Sequence, residues 1–244
     1  MRKPLSFSFV ALIAFFVVMG IILLFSFMGS SQQTPNLPTL PDSNSQYVGN
    51  TLDYSRIDIH KNNVQDIISA MNRPDEYYVE TKSEILYDNS TSVNLRRKWV
   101  RDGLSRIDVL TSGGTVTMSS IYTGSTVYYW TPASGRVLEI PRGNFTANDE
   151  QMLMDYTTLL ALPAENIIDA KLSRISGEQC IYVEAKNSLG YIEKYWISTR
   201  NGLLLSGQAF DGDTLVYSVS IIELVLTRPD DIEFTLPDKR LINS

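Results

Sequence analysis

The 244-residue sequence holds a single histidine and a single cysteine. His60 on its own excludes a metal site built on a histidine pair and any mechanism that needs two imidazoles, and Cys180 on its own excludes an intramolecular disulfide. No G-x-S-x-G elbow, H-E-x-x-H, P-loop or G-x-G-x-x-G is present. A Ser-His-Asp triad would depend on His60, which stands just before a helix and reads as a surface or capping residue. Asp211-Gly212-Asp213 starts like a calcium loop but lacks the later ligands, so a hairpin turn is expected there. Asp230-Asp231 offers a carboxylate for glycoside hydrolysis, yet the sequence identifies no partner for it. Cys180 alternates with Tyr182 and reads as a small buried or half-buried strand residue. Asn89 and Asn144 each begin a glycan acceptor pattern. No catalytic residue, metal ligand or cofactor is expected, and the chain reads as a binding protein rather than an enzyme.

Charge narrows the class further. The chain has 27 acidic and 21 basic residues and a net charge of -6, which disfavours nucleic acid as a partner because a phosphate binder needs a basic footprint. Aromatic residues are unevenly spread: six of nine Phe precede residue 28, whereas all thirteen Tyr and all three Trp follow residue 46. Rings with a polar edge suit a boundary between dry and wet surroundings. Their equally ordinary reading is strand preference.

The early Phe residues belong to an uncharged run from Pro4 to Met28. As a helix it is about 37 Å long at 1.5 Å per residue, enough to cross a hydrocarbon core of about 30 Å. Arg2 and Lys3 precede it and no basic residue follows before Arg56, so the N-terminus is expected in the cytoplasm and the remainder outside. A cleaved signal peptide is the rival reading, though its apolar region is usually shorter. Residues 29–49 contain Pro35, Pro38 and Pro41 among polar residues, the composition of an extended, semi-rigid stalk.

From residue 50 to 244 the dominant period is two. The alternation at Tyr77, Val79, Thr81, Ile85 and Tyr87 is that of a half-buried strand. Similar runs recur at 94–101, 105–111, 115–122, 125–131, 136–140, 169–175, 178–185, 191–198, 203–210 and 214–224. Asp102-Gly103, Gly113-Gly114, Asn201-Gly202 and Asp211-Gly212 lie between them, dipeptides that accept the positive φ of tight hairpins. Two segments break the pattern. In 63–72, Val64, Ile67, Ile68 and Met71 form one apolar helical stripe that Arg73-Pro74 stops. A second helix is expected over 148–161, with Asn148 and Gln151 as cap and partner, Leu153, Tyr156, Leu159 and Leu160 inward, and Pro163 beyond its end. The fold class is thus α+β. Two helices cannot cover both sides of so wide a sheet, and a twisted sheet of that width curls around them.

Several stretches resemble a known superfamily. Arg97-Lys98-Trp99-Val100-Arg101-Asp102-Gly103, Gly124 to Pro132 with Tyr128-Tyr129-Trp130, Glu193 to Leu204 and Asp231 to Pro237 are similar to the outer-membrane lipoprotein carriers and sigma-factor regulators, including lipoproteins of spore-forming bacteria. The resemblance spans most of 51–240. It implies an unclosed antiparallel half-barrel with the helices on its concave, apolar side, and a lipid acyl chain or lipoprotein as cargo. Regulator members add an envelope protein partner. Arg101 matches the arginine of the carriers' Arg-Pro-Gly motif, although Asp102 replaces the proline, and a surface ion pair is its plainer reading.

These observations lead to a membrane-anchored, extracytoplasmic, non-catalytic domain with a lipid-binding concavity. Ile67, Ile68, Met71, Tyr129, Leu153, Leu159, Leu160 and Trp196 are the candidate lining and Arg101 the candidate rim. The alternative is an envelope adaptor whose concavity is filled by its own side chains.

Overall fold

Alternation with glycine-containing turns becomes eleven strands: β1 (Tyr77–Tyr87), β2 (Ser90–Arg101), β3 (Leu104–Leu110), β4 (Val116–Tyr122), β5 (Thr126–Trp130), β6 (Leu138–Pro141), β7 (Ile167–Ile175), β8 (Glu178–Lys186), β9 (Ile192–Ser198), β10 (Leu204–Asp211) and β11 (Thr214–Val225). The computed structural model describes residues 49–50, 52–87, 90–143 and 154–243. The expected membrane segment, most of the stalk, Leu153, the Asn148–Gln151 cap and both glycan acceptors lie outside them. Among the described residues no helix is long and apolar enough to cross a membrane.

All eleven strands join one antiparallel sheet in the order β6-β5-β4-β3-β2-β1-β11-β10-β9-β8-β7, left open between β6 and β7. Each half is a run of hairpins, and the pairing of β1 with β11 joins the halves. The hairpin turns require left-handed backbone: Asp102 and Gly103 have φ of 49° and 74°, and Gly212 has 58°, as the turn expected at Asp211-Gly212-Asp213 demands.

Paired residues share a side of the sheet, so register assigns the two faces. Ala170, Val183, Tyr195, Gly207, Val219, Ser83 and Asn94 are successive partners from β7 to β2. This inner side carries the helices. Val64 and Ile68 of α1 (Val64–Ser69) and Leu159 of α2 (Tyr156–Leu160) pack there on Ala170, Val183, Tyr195, Ala209 and Val219. The next row, Asp169, Glu184, Lys194, Gln208, Ser218 and Glu84, faces outward and is polar.

The second helix differs from expectation. Asp155 has extended backbone, φ -145° and ψ -175°, and its side chain caps the amides of Thr157 and Thr158. A helix continuous from 148 to 161 is therefore excluded at 154–155, and the described helix begins on the Asp155 cap.

The outer side of β2–β5 is closed by the C-terminal segment. Phe234, Leu236 and Ile242 pack on Leu104, Ile121 and Trp130, and Arg106 donates to the Glu233 carbonyl at 2.8 Å.

One constellation occurs twice in the sheet. Tyr78-Val79-Glu80 on β1 lies opposite Arg97-Lys98-Trp99 on β2, and Tyr182-Val183-Glu184 on β8 lies opposite Lys194-Tyr195-Trp196 on β9. In each the tyrosine hydroxyl donates to the glutamate two residues on, at 3.0 and 2.7 Å. In each the tyrosine ring also lies against the cross-strand tryptophan, with centroids 5.2 and 5.3 Å apart. The two strand pairs thus match in these outward-facing Tyr, Glu and Trp residues, one pair in each half of the sheet.

Candidate functional site

A cavity of about 260 Å³ lies on the inner side, between the start of α2 and strands β1, β2, β3, β10 and β11. Val79, Ile107, Leu205, Val219 and Ile221 give it apolar walls, Met154 and Tyr156 contribute the helix side, and Arg96, Lys98 and Asp155 add charge. Gly207 positions part of this roof: a Cβ there would stand 3.1 Å from Val219 Cγ1 and 3.3 Å from Met154 Cε, so the missing side chain is what lets Met154 approach the sheet.

The helices above are tied to each other and to the sheet by two side chains. Gln65 on α1 donates from Nε2 to the carbonyls of Leu159 and Leu162 at 3.0 and 2.8 Å. Arg73 donates to the Ile68 carbonyl at 2.6 Å, to the Met71 carbonyl at 3.1 Å and to the Gly202 carbonyl in the β9–β10 turn at 3.1 Å. Its guanidinium also lies 3.8 Å from the centre of the Tyr156 ring. These bonds satisfy carbonyls left open at the ends of both helices.

Beside the cavity, Tyr217 faces Ser83 and the Met154 backbone; burial pushes its phenol up to about 12. Beyond it the inner side opens into a surface groove lined by Ile85, Tyr87, Tyr191, Leu215 and Val216. Further along, buried Glu193 accepts from the Tyr195 hydroxyl at 2.5 Å and from Asn187 Nδ2 at 2.8 Å. Burial, with the neighbouring carboxylate second, raises the Tyr195 phenol above its ordinary value.

The nine sequence candidates are distributed unevenly. Ile67, Ile68, Met71, Leu159 and Leu160 come together in the core beneath the helices, adjoining the cavity rather than lining it. Tyr129 shares the inner side but packs with Ile107, Tyr122 and Val127 toward the β5 end. Trp196 is on the outer side, against Tyr182; its neighbour Tyr195 faces the helices. Arg101 is also outward and does not stand at the cavity rim. It is buried, donates to the Pro229 carbonyl at 3.0 Å and to Asp231 at 2.6 Å, and lies 4.7 Å from the Phe234 ring. Leu153 is outside the described residues.

The residues that do line the cavity include Val79, Arg96, Lys98, Ile107, Leu205 and Ile221. A sequence signal existed for two of them: Arg96 and Lys98 alternate with Arg97 and Trp99, so one side of β2 carries cations whichever way it faces.

His60 is exposed, and its Nδ1 accepts from the Asn62 amide just ahead of α1. Cys180 is buried, which pushes its thiol up to about 12. Asp231 is engaged by Arg101. Among the described residues no three His, Cys, Asp or Glu side chains gather as a metal-binding group.

No protein-family model matches the sequence, and no curated protein does. Solved structures do. A LolA superfamily protein from Nitrosomonas europaea is 8% identical, with 73% of this chain and 98% of that one covered and a TM-score of 0.36. The MucA/MucB complex of Pseudomonas aeruginosa gives 14% identity, 69% of this chain and 58% of the other, and a TM-score of 0.40. The GerS lipoprotein complex with the CwlD amidase from Clostridioides difficile gives 15%, 64% and 87%, and 0.27. Each of these likenesses is partial, at 15% identity or less and with a TM-score of 0.40 or less.

Proposed function

We propose that residues 50–244 form a non-catalytic binding domain of the cell envelope, held at the membrane by the N-terminal segment, that takes the apolar part of an amphiphile into the cavity under α2. The amphiphile is a lipid or the acylated end of a lipoprotein. The observation that supports this is the cavity itself: apolar walls on four strands meet a roof made of a short helix and a methionine.

Magnitudes limit the reading. At about 30 Å³ per water-sized group the cavity takes roughly eight methylenes. Each is worth roughly 0.8 kcal/mol on burial, or roughly 6 kcal/mol before the cost of immobilising the ligand. That is weak binding, suited to uptake and release rather than permanent storage. A tighter complex needs contacts to the rest of the ligand.

The adaptor reading has its own observation. Beneath the helices, Ile68, Leu159 and Tyr195 are fully buried against the sheet, so there the protein's own side chains fill the inner side. The two readings separate on one experiment. Full-length protein purified from its native membrane in a mild detergent is extracted and analysed by mass spectrometry. An acyl lipid or acylated peptide at near-stoichiometric amount is expected. Its absence, with no change in melting temperature on adding lipid, favours the adaptor.

A further inference from the structure

The inner side of β11 carries Ile221, Val219 and Tyr217 at two-residue steps, opposite Thr81, Ser83 and Ile85 of β1, each step about 7 Å. Ile221, Val219 and Thr81 line the cavity under α2, whereas Tyr217 and Ile85 line the surface groove of about 750 Å³ beyond it. Only the row of Val219 and Ser83, both buried, stands between the two spaces. Tyr217 reaches back across that row: its hydroxyl is hydrogen-bonded to the Ser83 side chain and to the Met154 backbone. Met154 in turn lies close to the sheet because Gly207 has no side chain. Tyr217 therefore has the end of the cavity on one side and the groove on the other. The opposite end of the cavity is marked by Tyr77 and Leu203, beside the turn in which the Arg200 carbonyl accepts from the Asn50 amide at 2.9 Å.

Resting on the cavity reading above, we propose that Tyr217 sets the length of acyl chain the site accepts, by acting as the stop on which the chain end rests. The ligand is then an amphiphile whose buried tail is about eight carbons long. Its chain enters at Tyr77 and Leu203, runs past Val79, Ile221 and Val219, and ends on the phenol ring. Each methylene up to the stop adds about fourfold in affinity. Methylenes beyond that length stay outside the cavity and add nothing. Behind the ring, Ile85, Leu215 and Val216 offer further apolar surface, so removal of the ring joins cavity to groove and lengthens the site. A phenol suits this position because its hydroxyl is anchored from two sides, whereas an apolar side chain would be free to turn into the groove.

The test uses full-length protein in nanodiscs of phosphatidylcholine and two probes with a diazirine at the chain tip, octyl alcohol and hexadecyl alcohol, at equal fractions of the bilayer. Cross-links are located by mass spectrometry. In the natural protein the octyl tip is expected on Val219, Met154 or Tyr217, with hexadecyl labelling at least about tenfold weaker and absent from Ile85, Leu215 and Val216. In Tyr217→Ala the hexadecyl probe should come within about twofold of octyl, with its tip on those three groove residues. Tyr217→Phe keeps the ring without its hydrogen bonds and should fall between. Octyl labelling of each variant shows that it is folded, and Tyr217→Val replaces Tyr217→Ala if the latter loses it. Hexadecyl labelling equal to octyl in the natural protein, or a hexadecyl tip on the groove residues there, overturns the stop while leaving the cavity reading intact. A short-chain preference that survives in folded Tyr217→Ala or Tyr217→Val overturns it as well. If neither probe labels the cavity of the natural protein, the cavity reading itself fails.

Discussion

Arg73 stacks on Tyr156 with its guanidinium carbon 3.8 Å from the ring centre, and the same guanidinium holds carbonyls of α1 and of the β9–β10 turn. One side chain thus fastens both short helices to the sheet beside the cavity. Neither helix has the length to be stable alone, so the cover depends on such ties.

Replacing Arg73 with alanine removes three charge-assisted hydrogen bonds and the stacking contact, and is expected to lower stability by about 2–4 kcal/mol. Arg73→Lys should recover little, because an ammonium reproduces neither the fork nor the stack. Chemical denaturation of the two variants checks this. Equal stability of Arg73→Ala and the natural protein contradicts it.

Arg101 and Asp231 should respond unequally. Arg101 is buried while the Asp231 side chain is 74% exposed. Arg101→Ala opens a hole under Phe234 and frees the Pro229 carbonyl, an expected loss of about 3 kcal/mol. Asp231→Asn keeps a hydrogen-bond acceptor in water and should cost less than about 1 kcal/mol. Denaturant midpoints of the two variants give the comparison.

Gly207→Ala places a methyl 3.1 Å from Val219 and 3.3 Å from Met154. Overpacking of this kind costs about 1–3 kcal/mol. The more telling readout is local: amide exchange at 154–157 should accelerate as Met154 is lifted, with little change in β4 or β5.

Stability should fall at alkaline pH. The unfolded chain releases the Tyr217 proton near 10.0, whereas the folded protein keeps it up to about 12. Unfolding therefore releases a proton between these values. The stability due to Tyr217 is complete below pH 10 and is lost as the pH rises through 12. Burial raises Tyr78, Tyr182 and Tyr195 in the same sense. Tyrosinate absorbance should appear together with loss of the circular-dichroism signal. Ionisation well ahead of unfolding contradicts the buried placement.

Local chemistry made the strands readable. Alternation and the Asp-Gly and Asn-Gly turns mark β1–β11 to within a few residues, because both signals act between near neighbours. Which side of each strand meets the helices is set by pairing between distant segments. Parity alone separated Tyr195 from Trp196, but only the register through β8 and β10 shows that Tyr195 faces inward. Irregularities at Glu80/Thr81 and Leu204/Ser206 then shift that parity within a strand, which hid Leu205 and Ile221. Arg101 was misleading for a related reason: it is buried, and its carboxylate partner lies 130 residues away. The repeated Tyr-Val-Glu was visible in the sequence, yet its meaning needed the cross-strand partners.

The central claim, that the cavity under α2 holds an acyl chain, is tested most directly by filling it. Val79→Phe and Ile221→Phe each project a ring into the space, and full-length natural and variant proteins are purified side by side from native membranes and analysed for bound acyl species. The expected result is near-stoichiometric lipid or acylated peptide on the natural protein and a severalfold loss on both variants, with melting temperatures that show all three folded. Equal recovery from all three, or none from the natural protein, contradicts the claim.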